Sequence, residues 1–165
     1  MASKNGIGVT VAILVGVVAA SFLVYLLPED TTMKISVSDF GKHLDITKEK
    51  ASMEATGIDE SFKKMIDNEM SADEYINIAE VSSSQISSLI IELTNSGATQ
   101  EWSESYVNYI VALKKLNDKI TETIVVANLI TDGDNSNSIS EILDRIKQLE
   151  IESLDLIKKS DSLRP

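Results

Sequence analysis

Apolar residues follow two different patterns along this chain. From Ile7 to Leu27 they are nearly continuous: no charged residue interrupts them, and only Thr10, Ser21 and Tyr25 are modestly polar. Beyond Pro28 they recur at intervals of three and four, the period of one helix face, with charged residues between them.

The first pattern predicts a transmembrane helix. Residues 7–27 span roughly 32 Å at about 1.5 Å per residue, close to the thickness of a bilayer's hydrocarbon core. A cleaved signal peptide has a shorter apolar region, about 7–15 residues, ending in small residues. Here the small pair Ala19-Ala20 is followed by Phe22-Leu23-Val24-Tyr25-Leu26-Leu27, so cleavage before Ser21 would leave an apolar new N-terminus. Lys4-Asn5-Gly6 loosely fits a pilin-type leader cut after Gly6, but the helix that follows has no early glutamate. A retained anchor is therefore the expectation. Lys4 and the α-amino group flank its short side, and Pro28-Glu29-Asp30 begins the long side. Cations next to a span favour the cytoplasm, which puts residues 1–6 inside and 28–165 outside. Tyr25 suits the outer interface, and Pro28 cannot continue the helical ladder.

The second pattern predicts four helices in 36–165, after a linker over 28–35. Ser36 with Asp39 reads as a capping pair. Phe40, Leu44, Thr47, Ala51, Ala55, Ile58, Phe62 and Met65 then form one face of a helix running to about Glu69. Ser71-Ala72-Asp73-Glu74 is a second capping box, followed by Tyr75, Ala79, Ser82, Ile86, Leu89 and Leu93, with Gly97 suited to a left-handed stop. Thr99 can cap the third helix, whose stripe is the longest: Trp102, Tyr106, Tyr109, Leu113, Leu116, Ile120, Thr123, Ala127 and Ile130. Asp132-Gly133-Asp134-Asn135-Ser136-Asn137 breaks it. Ser138-Ile139-Ser140-Glu141 opens the fourth helix, carried by Ile139, Ile142, Ile146, Leu149 and Ile157. Four amphipathic helices joined by short loops, without strand alternation, predict an all-α fold: a transmembrane helix followed by an antiparallel up-down-up-down four-helix bundle.

Charge narrows the partners. All 26 acidic residues and 14 of the 15 basic ones follow residue 28, which leaves this part at −12. That argues against nucleic acid and anionic lipid surfaces, both of which need clustered Lys and Arg. The chain has no cysteine, so disulfides, thiolate nucleophiles and c-type haem attachment are excluded.

Leu26-Leu27-Pro28, Ser38-Asp39-Phe40, Glu80-Val81-Ser82-Ser83-Ser84-Gln85-Ile86 and Glu122-Thr123-Ile124-Val125-Val126-Ala127-Asn128-Leu129-Ile130 make the chain resemble a group of small membrane-anchored helical proteins from ammonia-oxidising archaea. The resemblance covers most of the chain and implies an archaeal exterior location. It implies no activity and carries no site residues.

Catalytic and metal chemistry find little footing. Di-iron bundles need Glu-x-x-His on two helices, and His43 is the sole histidine, with Phe40 three residues before it. His43, one turn after Asp39, is expected to be a partly exposed histidine near a helix start. The 132–137 loop has Asp132, Asp134 and Ser136 at alternate positions, as a calcium loop begins. It has Asn137 where the sixth-position glycine belongs and Leu143 where the closing glutamate belongs. No Gly-x-Ser-x-Gly or phosphate-loop motif occurs. Trp102, Tyr106 and Tyr109 lie on the third-helix stripe and are expected in the core. No catalytic residue, metal or cofactor is assigned.

The expected role is interaction: a scaffold or accessory subunit of a membrane or envelope complex, engaging a protein partner or a second copy. The alternatives are a ligand-binding sensor that signals through a partner, since no second span follows, and a pilin-like assembly subunit. A candidate partner face is Val107, Val111, Val125 and Leu129, which share the side of the third helix opposite its main stripe. Asp118 divides them into two patches.

Overall fold

Helix starts and stops follow local chemistry in the computed structural model, which describes residues 37–133 and 137–165. The Asp39 carboxylate accepts the Lys42 backbone N–H at 2.9 Å and opens α1 (Phe40–Ile66). Asp39 is therefore the cap itself, and α1 begins three residues later than a cap at position 36 predicts. Asn68, in the left-handed region at φ 60°, turns the chain after α1. The Ser71 hydroxyl accepts the Glu74 N–H at 3.2 Å and starts α2 (Ala72–Thr94), which Gly97 at φ 64° follows. Thr99 precedes α3 (Gln100–Thr131) without a side-chain capping bond. The last helix, α4 (Asn137–Ser162), is already running one residue before the predicted Ser138 cap.

Cross-helix pairs give the directions. Glu92 meets His43 and Tyr75 packs on Phe62, so α2 runs against α1. Ser83 bonds Asn117 and Tyr75 bonds Thr123, so α3 runs against α2. Ser160 bonds Ser105 and Ser153 bonds the Ala112 carbonyl, so α4 runs against α3. The order is up-down-up-down, and among the described residues there is no strand. The span expected over 7–27 and the linker over 28–35 lie outside the described residues. Among the described residues no helix is long and apolar enough to cross a membrane.

The predicted faces of α1 to α3 are the core. Leu44, Ile58, Tyr75, Ile86, Tyr106, Tyr109, Leu113 and Ile120 are fully or almost fully buried. Gly41 permits a close approach: a Cβ there would stand 3.2 Å from the Trp102 ring.

The four helices are not equivalent. α3 packs on all three others, whereas no Cα of α4 comes within 8 Å of a Cα of α1. A second buried stripe on α3, at sevenfold spacing, explains this: Ser105, Ala112, Lys119 and Val126. Opposite lie the buried residues Ile146, Ser153 and Ser160 of α4. The Ser105 hydroxyl donates to the Ser160 carbonyl at 2.8 Å, and the Ser153 hydroxyl donates to the Ala112 carbonyl at 3.0 Å. Side chains this small bring two helix axes close together. The seam holds α4 to α3 and leaves α1 and α4 standing apart.

Candidate functional site: an open cleft between the first and fourth helices

The gap between α1 and α4 is a cleft of about 350 Å³ with α3 as its floor. α1 lines it with small residues, Ala51, Ser52, Ala55 and Thr56, too short to reach α4. Tyr109, Leu113 and Leu116 come from α3, and Ser153, Leu154 and Ile157 from α4. This size lies within the range of small-molecule sites, about 300–1,000 Å³.

Ion pairs cross the cleft at both ends. At one end Lys48 of α1 bridges to Asp161 of α4, with its ammonium 5.3 Å from the centre of the Tyr109 ring. Beside it Arg164 pairs with Asp45 at 2.6 Å and with Asp161 at 3.1 Å. The Arg164 guanidinium holds the Asp45 carboxyl below its usual range, chiefly through their hydrogen bond. At the other end Lys119 of α3 pairs with Asp59 of α1 at 2.7 Å and with Glu150 of α4 at 3.4 Å. Lys119 is only 4 % exposed, whereas the Asp59 and Glu150 side chains are about half exposed. A buried ammonium is costly to desolvate and persists only when paired, as here. The cleft is thus an apolar trough between two polar gates.

Burial shapes the tyrosines beside it. Desolvation pushes the Tyr109 phenol well above its ordinary range, with the Asp161 charge adding to the effect. It pushes Tyr75 up to about 12, against the opposing hydrogen bond to Thr123. Tyr106 is also pushed up to about 12, again chiefly by burial.

His43 lies in the first turn of α1, near the helix start as expected, with 14 % of its side chain exposed. Its side chain is largely buried and ties three helices together. Nδ1 lies 2.9 Å from the Tyr106 hydroxyl and Nε2 lies 3.0 Å from Glu92 Oε1. The Tyr106 hydroxyl also lies 3.0 Å from the Phe40 carbonyl, so it sits between the His43 ring and the α1 backbone. Asp39, one turn away, is occupied with its cap. Trp102 is half-buried, 6.5 Å from Phe40, and Tyr106 and Tyr109 are core residues as expected.

The four candidate face residues are not alike. Val107 is 54 % exposed and Val125 40 %, whereas Val111 and Leu129 are half-buried and Leu129 packs on the core. Asp132 and Gly133 close α3, but residues 134–136 of the candidate calcium loop lie outside the described residues. Among the described residues no three His, Cys, Asp or Glu side chains converge as a metal site.

The sequence reading missed the cleft because its makers are not apolar. Lys119, Asp59 and Glu150 look like surface charges, and Ser105, Ala112, Ser153 and Ser160 carry little hydropathy. The available signal was the seven-residue spacing of the small residues Ser105 and Ala112 on α3 and of Ser153 and Ser160 on α4. No protein-family model, curated protein or solved structure matches this chain.

Proposed function

We propose that this chain is a single-pass membrane-anchored protein whose extracytoplasmic bundle is a binding module. Residues 7–27 hold it in the membrane, 1–6 face the cytoplasm, and the bundle acts by interaction rather than catalysis. The observation that carries this reading is the incomplete closure of the bundle, which leaves the apolar α1/α4 cleft between polar gates. A helical protein with no binding duty gains stability by closing such a gap with larger side chains.

A second reading, a scaffold or accessory subunit, draws on the exposure of Val107 and Val125 on the far side of α3. The two valines lie roughly 27 Å apart at about 1.5 Å per residue, so they offer two separate points for a protein contact along α3. Lysine at Val111 and Val125 together then reduces the size of the native complex while helicity is retained. An unchanged complex size rejects that face.

The principal reading is tested on the full chain purified gently from its own membranes. Native mass spectrometry is expected to show a bound small molecule that disappears in Ala55→Trp, which plugs the cleft. No adduct, or an adduct indifferent to the plug, rejects the cleft as the binding site. Protease added to intact cells is expected to digest residues beyond 28, and protection until lysis reverses the topology.

A further inference from the structure

The two ends of the cleft differ in charge, and this difference selects a class of ligand. Lys48 and Arg164 at one end are matched by Asp45 and Asp161. At the other, one ammonium, Lys119, faces two carboxylates, Asp59 and Glu150. That end carries one uncompensated negative charge at the mouth of an apolar trough. The surrounding chain beyond residue 28, at −12, adds to the same field.

Carboxylate oxygens accept several hydrogen bonds each. Lys119 reaches Asp59 Oδ1 and Glu150 Oε2, and both side chains keep about half their surface free. An incoming cation therefore finds acceptors without displacing Lys119. An incoming carboxylate meets two like charges and an ammonium already paired. Between the gates, from the level of Lys48 to that of Asp59 on α1, the trough runs roughly 16 Å at about 1.5 Å per residue. Its walls there, Leu113, Leu116, Leu154 and Ile157 among them, suit hydrocarbon.

Resting on the binding-module reading above, we propose that the α1/α4 cleft takes a small apolar amine, its hydrocarbon along Leu113 and Leu116 and its ammonium at Asp59 and Glu150. The charge-assisted contact supplies the preference for an amine over a neutral analogue of equal length.

The test uses the full chain in nanodiscs with methyl-labelled Leu and Ile, titrated with hexylamine, hexanol and hexanoate at neutral pH. Cleft methyls of Leu116, Leu154 and Ile157 are expected to shift with hexylamine at about tenfold lower concentration than with hexanol, and least with hexanoate. The remote methyls of Ile86 and Leu93 stay in place. Asp59→Asn with Glu150→Gln abolishes the amine preference, and hexanol binding in that variant reports that the cleft is intact. Glu150→Gln alone, leaving Lys119 paired to Asp59, weakens the preference and serves if the double variant does not fold. Hexanol or hexanoate binding as well as hexylamine overturns the amine assignment and leaves the cleft reading standing. Cleft methyls that respond to none of the three overturn both.

Discussion

Leu116 and Ile120 stand one turn apart on the same α3 stripe, and periodicity treats them alike. The structure separates them: Ile120 is fully buried, while Leu116 is half-buried on the cleft floor. Truncation to alanine removes the same number of carbons from each. At Ile120 the lost transfer energy is about three carbons at roughly 0.8 kcal/mol each, or ~2.4 kcal/mol. If the surroundings do not collapse, a void of roughly 80 Å³ at about 24 cal/mol per Å³ adds ~2 kcal/mol. Ile120→Ala is therefore expected to cost ~2.5–4.5 kcal/mol. At Leu116 the removed carbons face a space already open to solvent, so no sealed void forms, and part of the side chain was never dry. Leu116→Ala is expected to cost ~1–1.5 kcal/mol. Urea unfolding of the full chain in detergent micelles, followed by far-ultraviolet circular dichroism, measures both. Equal losses, within about 0.5 kcal/mol, would show Leu116 to be sealed and would refute the open cleft.

Alkaline pH should unfold the bundle through its tyrosines. A phenol whose folded pKa lies above its unfolded value, about 10, stabilises the fold fully below that value. The contribution is lost as pH rises through the folded value, here about 12 for Tyr75 and Tyr106. Phenolate absorbance from the core tyrosines is expected to appear together with loss of helicity between those limits; early ionisation with helicity intact contradicts the burial account. Lys119→Met removes a buried ammonium and lets Asp59 and Glu150 rehydrate, so stability is expected to change by less than about 1 kcal/mol or to rise. Asp59→Asn with Glu150→Gln strands that ammonium and is expected to cost ~3–5 kcal/mol. The reverse order in chemical denaturation contradicts the pairing. Thermal melts in chelator and in calcium are expected to coincide, because a calcium loop starting at Asp132 would have Asn137 in place of the turn glycine and Leu143 in place of the closing glutamate ligand. A calcium-dependent rise in midpoint contradicts this.

The periodic apolar positions were sufficient to find the four helices, their faces and their order. Tyr75, Ala79, Ser82, Ile86, Leu89 and Leu93 are all buried, at the predicted spacing. The start of α1 was misread because Ser36 and Asp39 both fit a capping pattern, and only backbone geometry shows which residue caps. Burial of His43 depends on Glu92 and Tyr106, distant in sequence and brought to it by the packing of α2 and α3. The cleft was hidden for a deeper reason. Hydropathy reports which face of a helix is dry, but the separation of two helices depends on side-chain size. Ser105, Ala112, Ser153 and Ser160 draw α4 to α3, and a search for apolar stripes passes over all four.

The central claim is that α4 is fastened to α3 and stands off α1, and cross-linking tests it most directly. The natural chain has no cysteine, so introduced pairs report without background. Ser105→Cys with Ser160→Cys replaces hydroxyl oxygens 3.2 Å apart, and mild oxidation of the full chain is expected to join this pair rapidly. Ala55→Cys with Leu154→Cys spans the cleft, where no α1 and α4 Cα atoms lie within 8 Å, beyond the ~7 Å limit for bridging without backbone movement. That pair is expected to stay reduced under the same conditions. Cross-linking of Ala55→Cys with Leu154→Cys as fast as the seam pair would mean that the bundle is closed and the cleft is not there.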